Sequence, residues 1–188
     1  MERRRRNNGL LALGLMLSVA VGCEEGRSSV NTAAASERLE TVVRTPVLNA
    51  EGKTIGTAEL TQERGGVRVR VEASGLSPGA HGFHIHETGR CDAPDFKTAG
   101  AHLNPEGKKH GLHNPQGPHA GDMPNLQVGS DGKGKADWVA PGVTLAIGKP
   151  NSLLKEGGTA IVIHEQADDD RTDPAGNAGA RIACGVIR

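Results

Sequence analysis

Short segments in which apolar and polar residues alternate recur along this chain, and turns rich in Gly, Pro, Asn or Asp separate them. In one segment Val67, Val69 and Val71 alternate with charged residues, so a strand there places all three valines on one face. The chain has 27 Gly but only two Phe, one Trp and no Tyr, which favours short strands over long helices. Including that segment (67–72), eight strands are predicted: 39–48, 53–62, 67–72, 82–86, 126–129, 134–139, 159–164 and 181–187. The sequence therefore predicts an all-β, antiparallel, eight-stranded barrel or sandwich.

The N-terminal region differs from the rest. Four consecutive Arg at positions 3–6 precede an apolar run of about 12 residues, which is the order typical of a secretory signal peptide over residues 1–22. A membrane-spanning helix needs roughly 20 apolar residues, so a permanent span is the weaker interpretation. We expect the protein to be exported to the cell envelope.

Cys23 follows the sequence VAVG, and together they resemble the lipobox of bacterial lipoproteins, in which the Cys becomes the acylated first residue. The alternative is ordinary signal cleavage that leaves a thiol. Residues 23–38 are small and polar, and they predict a flexible tether carrying the lipid, ahead of one domain over 39–188. The expected location is periplasmic or membrane-anchored, with the lipid as the only membrane contact.

Charge argues against a nucleic-acid partner. The chain has 22 Lys plus Arg and 22 Asp plus Glu, and loss of residues 1–22 removes four Arg and one Glu. The remaining domain is mildly acidic, which does not suit a polyanion.

Two segments do not follow the strand pattern. Residues 87–125, the long loop, are rich in Gly, Pro, His and Asn and show neither the strand nor the helix period. Residues 168–179, the second loop, are similar but shorter. An ordered loop as long as the first needs something to hold it in place, which suggests a functional role.

The histidines form a metal-site pattern. His84 and His86 lie two apart on a predicted strand, so their imidazoles leave the same face and can share an ion. His164 ends another apolar strand, and the long loop contributes further donors: His102, His110, His119 and Asp122. All-imidazole ligation suits copper, zinc, nickel or iron, while three His with one carboxylate suit zinc best. Spacing alone does not select the metal, and histidines that bind nothing are the alternative.

Several segments resemble, in the right order, the signatures of the copper-zinc superoxide dismutase family. They are GFHIH (82–86) with GRC (89–91), GAHLNP (100–105), KHG (109–111), GPHAGD (117–122), HEQADD (164–169) and GNAGARIACGVI (176–187). The resemblance covers residues 39–188. It implies a Greek-key arrangement of the strands, with the long loop binding metal and the second loop lying at the active site.

The resemblance also implies two ligand sets that share one histidine. The copper ligands would be His84, His86, His102 and His164, and the zinc ligands His102, His110, His119 and Asp122. His102 would bridge the ions as an imidazolate and move a proton to the nascent peroxide. His81 and His113 match no ligand position, and Asp169 and Asp170 are expected in solvent.

Other roles follow from the same resemblance. Asp168 would link a ligand of each metal, and Arg181 would guide and dock the superoxide anion. Cys91 and Cys184 would form a disulfide. The second loop contains no Lys, and Ala175 stands where the eukaryotic forms have a Thr beside the channel, so the loop is expected to contribute less to anion steering.

The implied activity is dismutation of superoxide to oxygen and hydrogen peroxide at copper and zinc, protecting the cell envelope, in a monomer or a homodimer. The alternative is a non-catalytic copper- or zinc-binding protein on the same scaffold.

Overall fold

The computed structural model describes residues 41–188. The predicted signal peptide (1–22), the predicted lipidation site Cys23 and the tether (23–38) lie outside the described residues, as do residues 39 and 40 of the first predicted strand. Within residues 41–188, no helix is long or apolar enough to span a bilayer.

Nine antiparallel strands form one sheet. They are β1 (Val42–Asn49), β2 (Thr54–Glu63), β3 (Gly66–Ser74), β4 (Gly79–His81), β5 (Phe83–His86), β6 (Leu126–Val128), β7 (Lys133–Ala140), β8 (Thr159–His164) and β9 (Arg181–Ile187), in the spatial order β4-β6-β7-β3-β2-β1-β9-β8-β5. The predicted antiparallel all-β fold is confirmed, and each predicted strand end within the described residues is correct to within two positions. The prediction missed β4, which is only three residues long.

The two ends of the sheet meet at one glycine. β4 and β5 are the outermost strands of the spatial order, yet Gly82 alone separates them along the chain. The Gly82 N–H donates to the Gln166 carbonyl at 2.7 Å, and the Gly82 carbonyl accepts from the His164 N–H at 2.8 Å. The sheet is therefore almost closed into a barrel.

The barrel core is mainly aliphatic. Val67, Val69 and Val71 of β3 are at most 1% exposed, as their alternation predicts. Full burial of each such side chain contributes about 1.5 to 3 kcal/mol, so a core with few aromatic residues suffices for a domain of this size.

The long loop covers the free edge of β5. The Ile85 N–H donates to the Gly121 carbonyl at 2.9 Å, and the Ile85 carbonyl accepts from the Leu103 N–H at 2.8 Å. A Cβ at Gly121 would lie 2.2 Å from the Ile85 carbonyl oxygen, so only glycine permits this approach. Isolated bridges pair His84 with Asp122 and His86 with His102. Edge pairing thus brings the loop donors alongside the histidines of β5.

A disulfide holds the start of the long loop against β9. Cys91 and Cys184 are bonded with a Cα–Cα separation of 5.7 Å, which confirms the predicted pairing. The bond closes 93 residues of chain, for which loop-closure entropy predicts a stabilisation of about 4 to 5 kcal/mol.

Candidate metal centre

Four histidines from three parts of the chain converge at one point, which we call the four-histidine cluster. It consists of His84 and His86 from β5, His102 from the long loop and His164 from the end of β8, and one nitrogen of each lies within 4.8 Å of the others. A register shift between Ile163 and His164 interrupts the pairing of β8 with β9 at this point. The pairing of β5 with the long loop supplies the other three side chains.

A second group, the carboxylate cluster, shares His102 with the first and adds His110, His119 and Asp122. Asp122 Oδ1 lies 3.0 Å from His102 Nδ1, 3.2 Å from His110 Nδ1 and 3.3 Å from His119 Nδ1. Four donors held tetrahedrally at zinc-ligand distances lie about 3.3 Å apart. The three distances from Asp122 match that spacing, and all four donors lie within 4.8 Å of one another.

Five buried imidazole nitrogens have no hydrogen-bond partner among the described residues: His84 Nδ1, His86 Nε2, His102 Nε2, His119 Nδ1 and His164 Nε2. Buried polar atoms without partners are rare because burial removes their hydration without replacement. Four of these nitrogens belong to the four-histidine cluster and the fifth to the carboxylate cluster. Their arrangement fits two metal ions, with His102 contributing one nitrogen to each cluster.

The other ring nitrogens of the four-histidine cluster are directed at oxygen acceptors. His84 Nε2 donates to Asp168 Oδ2 at 2.6 Å, His86 Nδ1 to the Gly100 carbonyl at 2.9 Å, and His164 Nδ1 to the Gly179 carbonyl at 3.4 Å. A donor at one ring nitrogen leaves the lone pair on the other, so these acceptors select the tautomer that can bind metal.

Asp168 connects the two clusters. Besides His84, its carboxylate accepts from His110 Nε2 at 3.0 Å. The Asn125 side chain fixes the Asp168 backbone by donating to its carbonyl and accepting its N–H, both at 2.8 Å. Sequence reasoning missed Asn125, because nothing in the local pattern shows that its amide reaches a residue 43 positions away.

Burial and neighbouring charges set the ionisation of these groups. Burial and nearby histidines lower the pKa of His102 to about 4 and that of His164 to about 3, and they also lower the pKa of His86. Burial also tends to lower the pKa of His110. The hydrogen bonds from His110 to Asp122 and Asp168 outweigh this effect of burial and raise the pKa of His110 to about 10. His102, His164 and His86 are therefore neutral and ready to bind metal, whereas His110 must lose a proton from Nδ1 first.

Arg181 lies beside the four-histidine cluster in a fixed orientation. Its guanidinium donates to the Phe96 carbonyl at 2.9 Å and to the Gly100 carbonyl at 2.7 Å. Among residues 41–188 it forms no ion pair with a carboxylate, so its charge is not neutralised. It lines an open cavity of about 480 Å³ together with Asp95 and Lys97, which form an ion pair at 2.8 Å. Sequence reasoning did not single out Asp95 or Lys97.

Two further histidines and two further aspartates lie outside the clusters. Buried His81 contacts the carbonyls of His164 and Ser77 at 2.8 and 2.9 Å, while the side chain of His113 is 65% exposed, and neither belongs to a cluster. Asp169 is exposed, but its carboxylate accepts hydrogen bonds from Arg171, Thr172 and Asn177 and so orders the second loop. Asp170 is partly buried rather than fully exposed to solvent.

Comparison with known proteins agrees with this geometry. A family model described as copper/zinc superoxide dismutase (SODC) matches residues 54–187. A protein named superoxide dismutase (Cu-Zn) 1 from Aquifex aeolicus (strain VF5) is 57% identical over 143 residues, covering 76% of this chain and 85% of that protein.

Solved structures give the same result. The crystal structure of a SOD-like protein from Bacillus subtilis superposes with a TM-score of 0.75 at 46% identity, covering 77% of this chain and 97% of that one. The Cu/Zn superoxide dismutase from Brucella abortus gives a TM-score of 0.65 at 32% identity, covering 79% of this chain and 100% of that one.

Proposed function

The chain belongs to the copper/zinc superoxide dismutase family, and we propose from its two clusters how it dismutes superoxide to oxygen and hydrogen peroxide. The observation that carries the proposal is the set of five buried, unpartnered nitrogens arranged around two metal positions. The family uses copper and zinc, and both clusters have donors that suit these ions.

We assign copper to the four-histidine cluster and zinc to the carboxylate cluster. Imidazole donors alone suit an ion that changes oxidation state, whereas three His with one carboxylate and no open position suit zinc. When bound, copper supplies the redox chemistry, because it can accept an electron from one superoxide and return it to the next.

Arg181 binds and orients the anion. Its guanidinium is permanently charged and has donors beyond the two that anchor it to backbone carbonyls. Because the Gly100 carbonyl accepts from both Arg181 and His86, the docking residue and one copper ligand share a single support. The substrate is thereby positioned relative to the cluster.

His102 holds the proton that is transferred to the peroxide product. Its Nδ1 faces the carboxylate cluster and its Nε2 faces the four-histidine cluster, so a proton held at Nε2 lies where the product forms. The pKa of about 4 shows that burial disfavours the charged imidazolium. With zinc held at Nδ1, the ring would carry a single proton at Nε2 as a neutral imidazole, and transfer of that proton to the basic peroxide would leave His102 as the imidazolate.

Export and lipid attachment at Cys23 are proposals that rest on the N-terminal sequence alone. Mass spectrometry of the mature protein in its native envelope would test both. The sequence leaves a monomer and a homodimer open, and the molar mass in solution would distinguish them.

The test of function is superoxide dismutation by residues 24–188 reconstituted with copper and zinc. The expected result is one ion of each per chain and a rate well above that of free copper. His102→Ala should lose at least about a hundredfold in rate, as expected when a proton-transfer group is lost. The exposed non-ligand variant His113→Ala should match the wild type.

Full metal occupancy with negligible turnover would overturn the enzyme proposal. It would leave the alternative, a non-catalytic metal-binding protein. The similarity to a protein named only SOD-like makes that outcome worth measuring.

A further inference from the structure

A second carboxylate of the second loop, that of Asp173, contacts the carboxylate cluster at atoms other than those that Asp168 contacts. Asp173 Oδ1 accepts the backbone N–H of His110 at 2.8 Å, and Asp173 Oδ2 accepts from Lys109 Nζ at 2.9 Å. The same side chain lies 3.9 Å from His119 Nε2. All three partners belong to the long loop, and two of them are members of the carboxylate cluster.

These contacts complete the support of His110. Asp168 accepts from its ring at Nε2, and Asp173 accepts from its backbone, so both ends of the residue are fixed while Nδ1 faces the other donors. For His119, whose Nδ1 is unpartnered, Asp173 is the acidic group nearest the opposite ring nitrogen. At 3.9 Å this is a charge contact and not a hydrogen bond, so Asp173 supports His119 by charge and His110 by the hydrogen bond to its backbone.

The backbones of the two loops also pack closely beside Asp173. The Asp170 carbonyl accepts the His113 N–H at 3.2 Å, and a Cβ at Gly111 would lie 2.1 Å from that same carbonyl oxygen. Asp173 therefore belongs to a continuous junction between the second loop and the long loop, to which Asp168 also contributes through His110.

We propose that Asp173 is a positioning residue for the zinc ligands His110 and His119, and that the second loop, which lacks Lys, holds the zinc in place. The inference rests on the proposed assignment of zinc to the carboxylate cluster. It gives the short loop a role other than steering the anion.

The experiment measures the rate at which zinc passes from the copper- and zinc-loaded protein to a chromogenic chelator. Asp173→Ala should accelerate zinc release about ten- to a hundredfold, which is the usual effect of removing an outer partner of a ligand. Asp173→Asn keeps an acceptor for the His110 N–H but loses the charge, so its rate should be intermediate. The visible absorption of copper should stay close to wild type in both variants.

Asp131 offers a matched control. It accepts the Lys133 N–H at 3.1 Å and lies 3.5 Å from Lys133 Nζ, so it makes the same two kinds of contact in a turn that holds no cluster residue. Asp131→Ala should leave zinc release within about twofold of wild type, because no ligand depends on it. The thermal unfolding of the metal-free variants shows whether either has lost the fold.

Equal rates for Asp173→Ala and Asp131→Ala, both folded, would overturn the inference while leaving the proposed function intact. Conversely, a protein that holds zinc tightly and releases it faster in Asp173→Ala, but does not dismute superoxide, would support the inference and overturn the function.

Discussion

The outer face of the sheet and the two clusters differ in whether their polar groups have partners within the protein. Arg44, Glu59, Arg70 and Asp137 lie directly opposite one another across β1, β2, β3 and β7, so that charges of opposite sign alternate. The Arg44–Glu59 pair is 2.7 Å long, and both the Arg70–Glu59 and Arg70–Asp137 pairs are 3.4 Å long. Each of these exposed or partly exposed charges has a partner within the fold, whereas the four-histidine cluster buries four nitrogens that have none.

Folding alone supplies partners for the charges of the outer face, whereas the buried nitrogens of the clusters need a bound metal ion. Water solvates the exposed charges in the unfolded chain almost as well as their partners do in the fold, so each pair contributes at most about 1 kcal/mol. The buried nitrogens lose their water and gain nothing until metal binds. The outer face should therefore be insensitive to metal, while the clusters should link stability to metal and pH.

The largest expected effect is that of metal removal. An ion whose free concentration is a thousandfold above its dissociation constant adds about 4 kcal/mol to the free energy of unfolding. Stripping both ions should lower the melting temperature of a domain this size by at least about 10 °C. Calorimetry of the loaded and stripped protein would measure this, and coincident transitions would contradict the comparison.

The next effect is the pH dependence of the metal-free protein. Burial holds the pKa of His102 at about 4 and that of His164 at about 3, below the ordinary 6.5 that the unfolded chain regains. The unfolded state therefore binds more protons between these values, and stability falls as the pH drops from about 6.5 towards 4. For His102 alone the loss is on the order of 3 kcal/mol.

His110 does not offset that loss. Its pKa is raised to about 10, so its stabilising contribution is fully present below 6.5 and is lost only as the pH rises towards 10. Urea unfolding of the metal-free protein on either side of pH 6 would measure the net change in the free energy of unfolding. Stability that stays constant from neutral to mildly acidic pH would show that these histidines are not desolvated as the structure indicates.

Replacement of Arg181 should affect turnover more than stability. Arg181→Ala removes the guanidinium beside the four-histidine cluster, and we expect kcat/KM to fall at least about tenfold, the value of a charge-assisted hydrogen bond. Arg181→Lys should retain part of the rate and its salt dependence, because the charge remains but the forked geometry is lost. An unchanged kcat/KM in Arg181→Ala would show that the anion docks elsewhere.

The smallest effect is expected on the outer face. Glu59→Ala removes the partner of both Arg44 and Arg70, yet it should cost less than about 1 kcal/mol of unfolding free energy. Metal content and turnover should not change. A loss comparable to that from metal removal would erase the distinction between the two regions.

Much of this arrangement could be predicted from the sequence. The alternation of Val67, Val69 and Val71 fixes which face of β3 is buried, because a strand has a strict period of two. The family motifs led to the residues that form the two clusters, and the structure brings all of them together. Strand periodicity and the metal-binding residues of a motif depend on short stretches of sequence, so they can be predicted from the sequence alone.

The supports of the site were harder to predict. Asn125 and Asp173 act on partners 43 and 63 residues away, through side chains that would look ordinary in any loop. Their contacts exist only because the barrel brings the second loop against the long loop. β4 was missed because three residues are too few to show a period.

The covering of β5 by the long loop has a consequence for how metal-free chains behave in concentrated solution. The Ile85 N–H and carbonyl, now paired with Gly121 and Leu103, belong to the outermost strand of the sheet. If the loop lifts when its ions leave, those groups become free to pair with the same strand of another molecule. Bound metal would then protect the protein from aggregation as well as supply its chemistry.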